Sequence, residues 1–109
     1  MHPFFTAWQA WRRSSPPFDA YRSGSRKAAT YDAELQLDHV RGSVVTLIGA
    51  RLSGRDFDFD TRIQDELANL QLLEYVLQQL GDSGVETGAL QSWSAETRAL
   101  LIRFREYIG

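Results

Sequence analysis

The sequence predicts an all-α fold in which a four-helix arrangement is built on a central antiparallel αα-hairpin. Apolar residues recur at spacings of three and four along two long segments, which is the period of one helix face. Stretches rich in glycine, proline and serine separate the segments. The β-branched residues at 43–48 would also suit a strand, but the apolar stripe continues on both sides of them and favours a helix.

The chain has the size of one domain. Its 109 residues can bury a single hydrophobic core, and 43% hydrophobic with 24% charged residues is typical of a globular protein. We predict a single helical domain over residues 1–109. It is divided into a short N-terminal helix at 1–15, a flexible connector at 16–29 and a helical core at 30–109.

The first helix begins at Pro3, a residue favoured in the first turn, and ends before SSPPF because proline cannot continue a helix. Phe4, Trp8 and Trp11 share one face of this helix. A helix of about ten residues is marginal alone in water, so the aromatic face must dock on something. The docking surface is the chain's own core, a second copy of the chain, or a different protein.

The second helix is expected from about Lys27 or Thr30 to Leu52, with Gly54 ending it in a left-handed conformation. Its apolar stripe has heptad-like spacing. The stripe consists of Ala33, Leu37, Val40, Val44, Leu47 and Ile48.

The third helix is expected from about Thr61 to Leu80, with Asp60 or Thr61 as its N-cap and Gly81 as its C-cap. A short loop joins it to the second helix, which predicts the antiparallel hairpin. Its stripe consists of Ile63, Leu67, Leu70, Leu73, Leu77 and Leu80.

The last helix is expected to follow a second connector, VETGALQSW, with Ser94 as its N-cap and Tyr107 near its end. Its spacing again places apolar residues on one face. The predicted inner face consists of Thr97, Leu100, Leu101, Phe104 and Ile108.

A bundle made of the four helices of one chain would contain one helix much shorter than the others, because the first helix is short and is joined by a flexible connector. We therefore predict a homodimer in which the heptad-like stripes pack across a two-fold axis. The residues assigned to this dimer contact, or to helix packing within the chain, are Leu37, Val40, Val44, Leu47, Ile48, Leu70, Leu73 and Leu77.

Charge and composition narrow the function classes. The net charge of −2 gives no global attraction to nucleic acid or to an anionic membrane, and no apolar run approaches the roughly 20 residues that span a bilayer. The chain contains no cysteine, which fits a reducing compartment, and we expect a cytoplasmic protein. Residues 1–30 carry five basic residues against one acid, whereas the rest carries seven arginines against thirteen acids. Residues 1–30, here called the basic arm, either attract an acidic partner or lie against the acidic remainder of the same chain or of a second copy.

The motifs of common enzymes are missing. The sequence contains no glycine-rich phosphate loop and no HExxH or GxSxG motif, and Glu66 and Glu74 lack a histidine at metal-ligand spacing. The aspartates of RDFDFD alternate as in a calcium loop, but Thr61 and Leu67 occupy the positions where an EF-hand needs glycine and glutamate. We expect instead an extended loop that tucks Phe57 and Phe59 under the hairpin. The prediction is a protein that is not an enzyme and binds no metal or cofactor.

Residues 37–50, LDHVRGSVVTLIGA, resemble the active helix of histidine phosphotransfer (HPt) domains, which are four-helix bundles of about this size. That helix places a lysine three residues after its histidine, then a glycine, a small residue and a later Gly-Ala pair. With His39 in the histidine position, the pair at 49–50 fits, but Arg41 comes one residue early and lies on the other side of the helix. Aligning the arginine with the lysine instead puts Asp38 in the histidine position.

The resemblance implies a phosphotransfer module, intact or degenerate, that uses His39. His39 shares its helix face with Ser43 and Thr46 and not with the leucine stripe, so its imidazole can be accessible. The competing interpretation is a surface or interface histidine on the polar side of a bundle helix. We expect the small, polar strip of His39, Gly42, Ser43 and Thr46 to be a place where helices or partners pack closely.

The first 21 residues are crowded with aromatic rings, which together with arginine are enriched at protein-binding hot spots. We predict a small non-enzymatic regulator of the inhibitor, anti-activator or chaperone type, which occupies the surface of a partner protein. The alternative is the HPt-like module. The predicted partner-binding residues are Phe4, Phe5, Trp8, Trp11, Arg12 and Arg13.

Overall fold

A computed structural model describes residues 2–109, and in that range the chain forms five α-helices and no β-strand. The predicted all-α fold is confirmed. The one helix that was not predicted, Asp19–Arg22, is short and lies inside the predicted connector at 16–29. The helices are α1 (Pro3–Arg13), α2 (Asp19–Arg22), α3 (Tyr31–Leu52), α4 (Phe59–Asp82) and α5 (Gly88–Ile108).

The central hairpin consists of α3 and α4, and α5 packs against both of its helices. The two apolar stripes are buried inside one chain, as expected for helix packing. A dimer contact through these residues is therefore not available in this conformation, and a homodimer would need another surface. The residues of the two stripes that were assigned to dimer or helix packing are all buried, namely Leu37, Val40, Val44, Leu47, Ile48, Leu70, Leu73 and Leu77.

The aromatic helix α1 packs along α5. Phe4 is fully buried, stacked on Tyr107 with ring centroids 5.0 Å apart and 5.2 Å from Phe104. At the other end of the helix, Trp11 Nε1 donates a buried hydrogen bond of 2.9 Å to Oγ1 of Thr97. The helix that is too short to stand alone is thus stabilised by the core of its own chain.

The predicted connector contains α2, which a single carboxylate holds against α3. Glu34 is 2% exposed, and its Oε1 accepts hydrogen bonds from the backbone N–H groups of Ala20 at 3.0 Å and Tyr21 at 3.4 Å. Its Oε2 accepts from the hydroxyl of Thr30. Because these donors share one buried acceptor group, Glu34 anchors α2 on α3. The ring of Phe18, which precedes α2, is also buried.

Helix α5 begins at Gly88, earlier than the expected start at Ser94. Leu90 and Trp93 are buried and extend the apolar face of α5 backwards, while the Oε1 of Glu86 accepts the N–H of Gly88 at 2.8 Å. The prediction that Ser94 is the N-cap was wrong, because this residue is fully buried in the helix interior.

The ends of α4 also differ from expectation. Its N-cap is Asp58, whose side chain accepts the N–H of Thr61, so the helix begins before the predicted cap. Its last turn contains Gly81, and the left-handed residue is Gly84, with a φ of 91°. The following N–H, that of Val85, then bonds back to Leu80 O at 3.0 Å, as in a Schellman motif.

Within residues 2–109, no helix is both long enough and apolar enough to cross a membrane.

Candidate functional site

The predicted partner-binding residues of α1 divide into buried rings and exposed cations. Phe4, Trp8 and Trp11 are buried, whereas Arg12 and Arg13 are exposed. Phe5 is half-buried and packs on the same core. The arm therefore presents its arginines to solvent, and the three buried rings would have to leave the core to contact a partner. Binding through this arm stays a prediction.

A surface depression lies between α3 and α4, on the part of the hairpin that α5 does not cover. It contains a larger cavity of about 590 Å³ and a smaller one of about 280 Å³. His39, Ser43 and Glu66 line both cavities, so the two are continuous parts of one depression, here called the α3–α4 groove. Its remaining lining residues are Gln36, Asp38, Val40, Gly42, Thr46 and Leu47 of α3, Phe57 of the loop, and Arg62, Asn69, Leu72 and Leu73 of α4.

The small, polar strip predicted from the sequence forms the α3 wall of this groove. His39, Gly42, Ser43 and Thr46 are exposed, and all four line the larger cavity. A Cβ atom built on Gly42 would meet nothing within 4 Å, so this wall leaves open space in front of the helix. The structure thus brings together the strip that the sequence singled out, and the imidazole of His39 stands at the accessible edge of α3.

Glu66 is the α4 residue that faces this strip. Its carboxylate atom Oε2 is buried and accepts no hydrogen bond from any residue between 2 and 109. Burial raises the pKa of Glu66 from its ordinary value of 4.5, and side-chain hydrogen bonds from Asn69 and Ser43 to the carboxyl group offset this only in part. The Oε2 atom is therefore a hydrogen-bond acceptor for which residues 2–109 supply no donor.

The lip of the groove on α4 is apolar. Leu72 lines the smaller cavity and is 68% exposed. Tyr75 and Val76, which line neither cavity, are 66% and 42% exposed and follow Leu72 on α4 at spacings of three and four, and these three residues are here called the apolar lip. Between Glu66 and Asp82 the only charged residue is Glu74, which is paired with Arg98 of α5. An exposed apolar face without neighbouring charge has the composition of an interface core.

At the other end of the groove lies the aspartate-rich loop. Phe59 is buried as predicted, but Phe57 is 42% exposed, so the prediction that both rings are covered was wrong for Phe57. Phe59 lies in the first turn of α4 and points into the core, whereas Phe57 precedes the cap and lines the larger cavity. The guanidinium of Arg62 lies 6.0 Å from the Phe57 ring. Asp58 caps α4, and its hydrogen bonds from Thr61 lower the pKa of this carboxyl.

Sequence reasoning found the α3 wall and missed the α4 wall. No sequence pattern indicates that Glu66 and Asn69 line the groove, because only the packing of the two helices decides which α4 residues face His39. Leu72, Tyr75 and Val76 do show a pattern, since they are apolar at helical spacing but lie outside the leucine stripe.

Over residues 2–109, no group of three or more histidine, aspartate or glutamate side chains is arranged to hold a metal ion. Comparison of the chain with protein-family models, with curated proteins and with solved structures finds no match.

Proposed function

We propose that this chain is a small non-enzymatic regulator that binds an amphipathic helix of a partner protein in its α3–α4 groove. The single observation that carries the proposal is the open groove with an uncharged apolar lip at Leu72, Tyr75 and Val76. Apolar side chains this exposed on a folded domain mark an interaction surface when they are contiguous.

A helix is the occupant that suits the shape of this surface. Two antiparallel helices leave a depression along their contact, and a third helix packs there by placing its ridge of side chains into the groove. The small wall residues Gly42 and Ser43 allow the partner backbone to come close. Apolar lining at both ends, from Phe57 and Leu47 to Leu72, would contact the apolar face of the partner helix.

Regulation by occupancy follows from the absence of recognisable chemistry in the sequence and from this geometry. A helix held in the groove is withdrawn from its own protein, which is how inhibitors, anti-activators and chaperones act. The exposed Arg12 and Arg13 of α1 would add attraction to an acidic surface of the same partner.

Comparative affinity capture from the source cells tests this proposal. The Leu72→Glu variant places a charge on the groove lip, whereas Leu52→Glu makes the same change at another exposed leucine, 44% exposed, outside the groove. We expect a protein that is retained by the wild type and by L52E and lost with L72E. If L72E retains every protein that the wild type retains, the groove is not the partner surface. Loss with Arg13→Glu alone would assign binding to α1.

A second candidate is the HPt-like module, supported by the exposure of His39 beside Gly42 and Ser43. In this case a phosphorylated receiver domain would transfer its phosphoryl group from aspartate to an imidazole nitrogen of His39. Incubation with radiolabelled receiver domains should give an acid-labile label that the His39→Gln variant lacks. An unlabelled wild-type protein would eliminate this candidate for the receivers tested.

The homodimer also stays a prediction, but its interface would differ from the leucine stripes that were expected to form it. Because the leucine stripes are buried in one chain, a second copy would have to use an exposed surface such as the apolar lip. Sedimentation velocity at high micromolar concentration distinguishes a monomer from a homodimer. Leu72→Glu should give a monomer if the apolar lip forms the dimer contact.

A further inference from the structure

The buried Oε2 atom of Glu66 has no hydrogen-bond donor in the part of the chain that the structure describes, and this lowers the stability of the folded protein. A buried polar atom without a hydrogen-bond partner destabilises the folded state, and the penalty is larger for a charged group than for a neutral one. Oε2 of Glu66 has no donor among residues 2–109, and Glu66 is one of the residues that line a cavity of about 590 Å³. A donor that enters this cavity from another molecule would remove the penalty.

The charges around the cavity favour a cation as that donor. Asp38 and Glu66 line it with carboxylates, and Arg62 is the one arginine or lysine in its lining. The guanidinium of Arg62 lies over the ring of Phe57 at the loop end and donates no hydrogen bond to Oε2 of Glu66. His39 and Ser43 stand across from Glu66 on α3. An ammonium or guanidinium group at this point gains a charge-assisted hydrogen bond.

We propose that the partner helix inserts one lysine or arginine side chain into the larger cavity of the α3–α4 groove, where its cationic group donates a hydrogen bond to Oε2 of Glu66. This inference rests on the proposed function and specifies the partner: an amphipathic helix with apolar residues for the lip and one basic residue beside them. The apolar stem of that side chain passes the lip, while its charged end reaches the carboxylate.

The test uses a displayed library of helical peptides, selected on the full-length chain. Peptides that bind the wild type and fail to bind Leu72→Glu are taken as groove binders. Their affinities are then measured for wild type, Glu66→Gln and Asp65→Asn. Asp65 is the matched control, because it is an acidic neighbour on α4 that is exposed and lines neither cavity of the groove.

We expect the groove binders to share one lysine or arginine. Replacing it with glutamine should weaken binding to the wild type and to D65N about tenfold, as for loss of a hydrogen bond to a charged group, and should change binding to E66Q much less. Groove binders without a required basic residue would overturn this inference and leave the proposed function standing. A library that yields no L72E-sensitive peptide would overturn both.

Discussion

The hydroxyl group of Thr97 connects two helices at the centre of the aromatic cluster. It accepts the indole N–H of Trp11 at 2.9 Å and donates to the carbonyl of Trp93 at 2.8 Å, and Thr97 is fully buried. The hydrogen bond to Trp11 is the side-chain link that fixes the C-terminal end of α1 on α5. Its loss would leave a buried N–H without an acceptor.

Replacing Thr97 by valine keeps the shape of the side chain and removes its hydroxyl. We expect the free energy of unfolding to fall by about 1–3 kcal/mol, the penalty for an unsatisfied buried donor. Thr97→Ser is the matched control, since it keeps the hydroxyl and loses one methyl group, at a cost of about 1 kcal/mol. Urea denaturation followed by tryptophan fluorescence measures both. A T97V protein that is as stable as the wild type would contradict this role.

Glu66 should make stability depend on pH in a direction that is unusual for a carboxyl group. Its folded pKa is raised above the ordinary value of 4.5, so the folded state binds the proton more tightly than the unfolded state does. The contribution of Glu66 to stability is therefore highest below pH 4.5 and falls as the pH rises through the raised folded value.

The variant Glu66→Gln isolates this contribution, because the two proteins are identical at every other residue. We expect E66Q to gain in stability over the wild type as the pH is raised from about pH 3 to about pH 7. Thermal unfolding in a series of buffers measures the difference. A difference that does not change with pH would show that Glu66 has the same pKa in both states.

At the scale of secondary-structure elements, the two short helices are held by a few buried groups. α1 depends on the rings that it places against α5, and α2 depends on the carboxylate of Glu34. Neither helix is long enough to be stable alone, so each forms because of its tertiary contacts.

Phe4→Ala should release the N-terminal half of α1. Phe4 is fully buried between the rings of Phe104 and Tyr107, and removing a buried phenylalanine costs about 3–5 kcal/mol. The exposed neighbour Thr6 serves as the control, because Thr6→Ala should change stability by no more than about 0.5 kcal/mol. Chemical denaturation compares the two variants. A small effect of F4A would mean that α1 does not close the core.

Glu34→Ala should free α2 without unfolding the hairpin. The backbone N–H groups of Ala20 and Tyr21 would lose their acceptor, and we expect their hydrogen exchange to accelerate and global stability to fall by about 1–3 kcal/mol. Glu34→Gln keeps one acceptor oxygen and should lie between alanine and wild type. Unchanged exchange at both amides in E34A would assign the anchoring of α2 to other contacts.

The hairpin could be predicted from sequence because each stripe is a local pattern within one helix. The start of α5 could not, since a glycine at 88 and a serine at 94 indicate a boundary, while the burial of Leu90 and Trp93 depends on neighbouring helices. The candidate site shows the same division. His39 and its strip follow from the spacing along α3, but the position of Glu66 opposite them follows only from how α4 packs.

At the scale of the whole molecule, the elongated domain, about 42 × 23 × 22 Å, has two different flanks. α1 covers α5 and completes the aromatic part of the core, whereas no helix of residues 2–109 lies over the α3–α4 groove. The side covered by α1 contains the three tryptophans and the exposed Arg12 and Arg13, and the open side contains the apolar lip and Glu66. Under the proposed function, the open side binds the partner.

Site-specific photo-crosslinking in the source cells identifies the side of the molecule that the partner contacts. p-Benzoylphenylalanine is placed at Leu72 on the lip, at Ser43 on the α3 wall, and at the exposed Ala95 of α5 as the control. We expect the same partner adduct from Leu72 and Ser43 and none from Ala95. Adducts from Ala95, or from Arg12 of α1, without any from the two groove positions would contradict the proposed function.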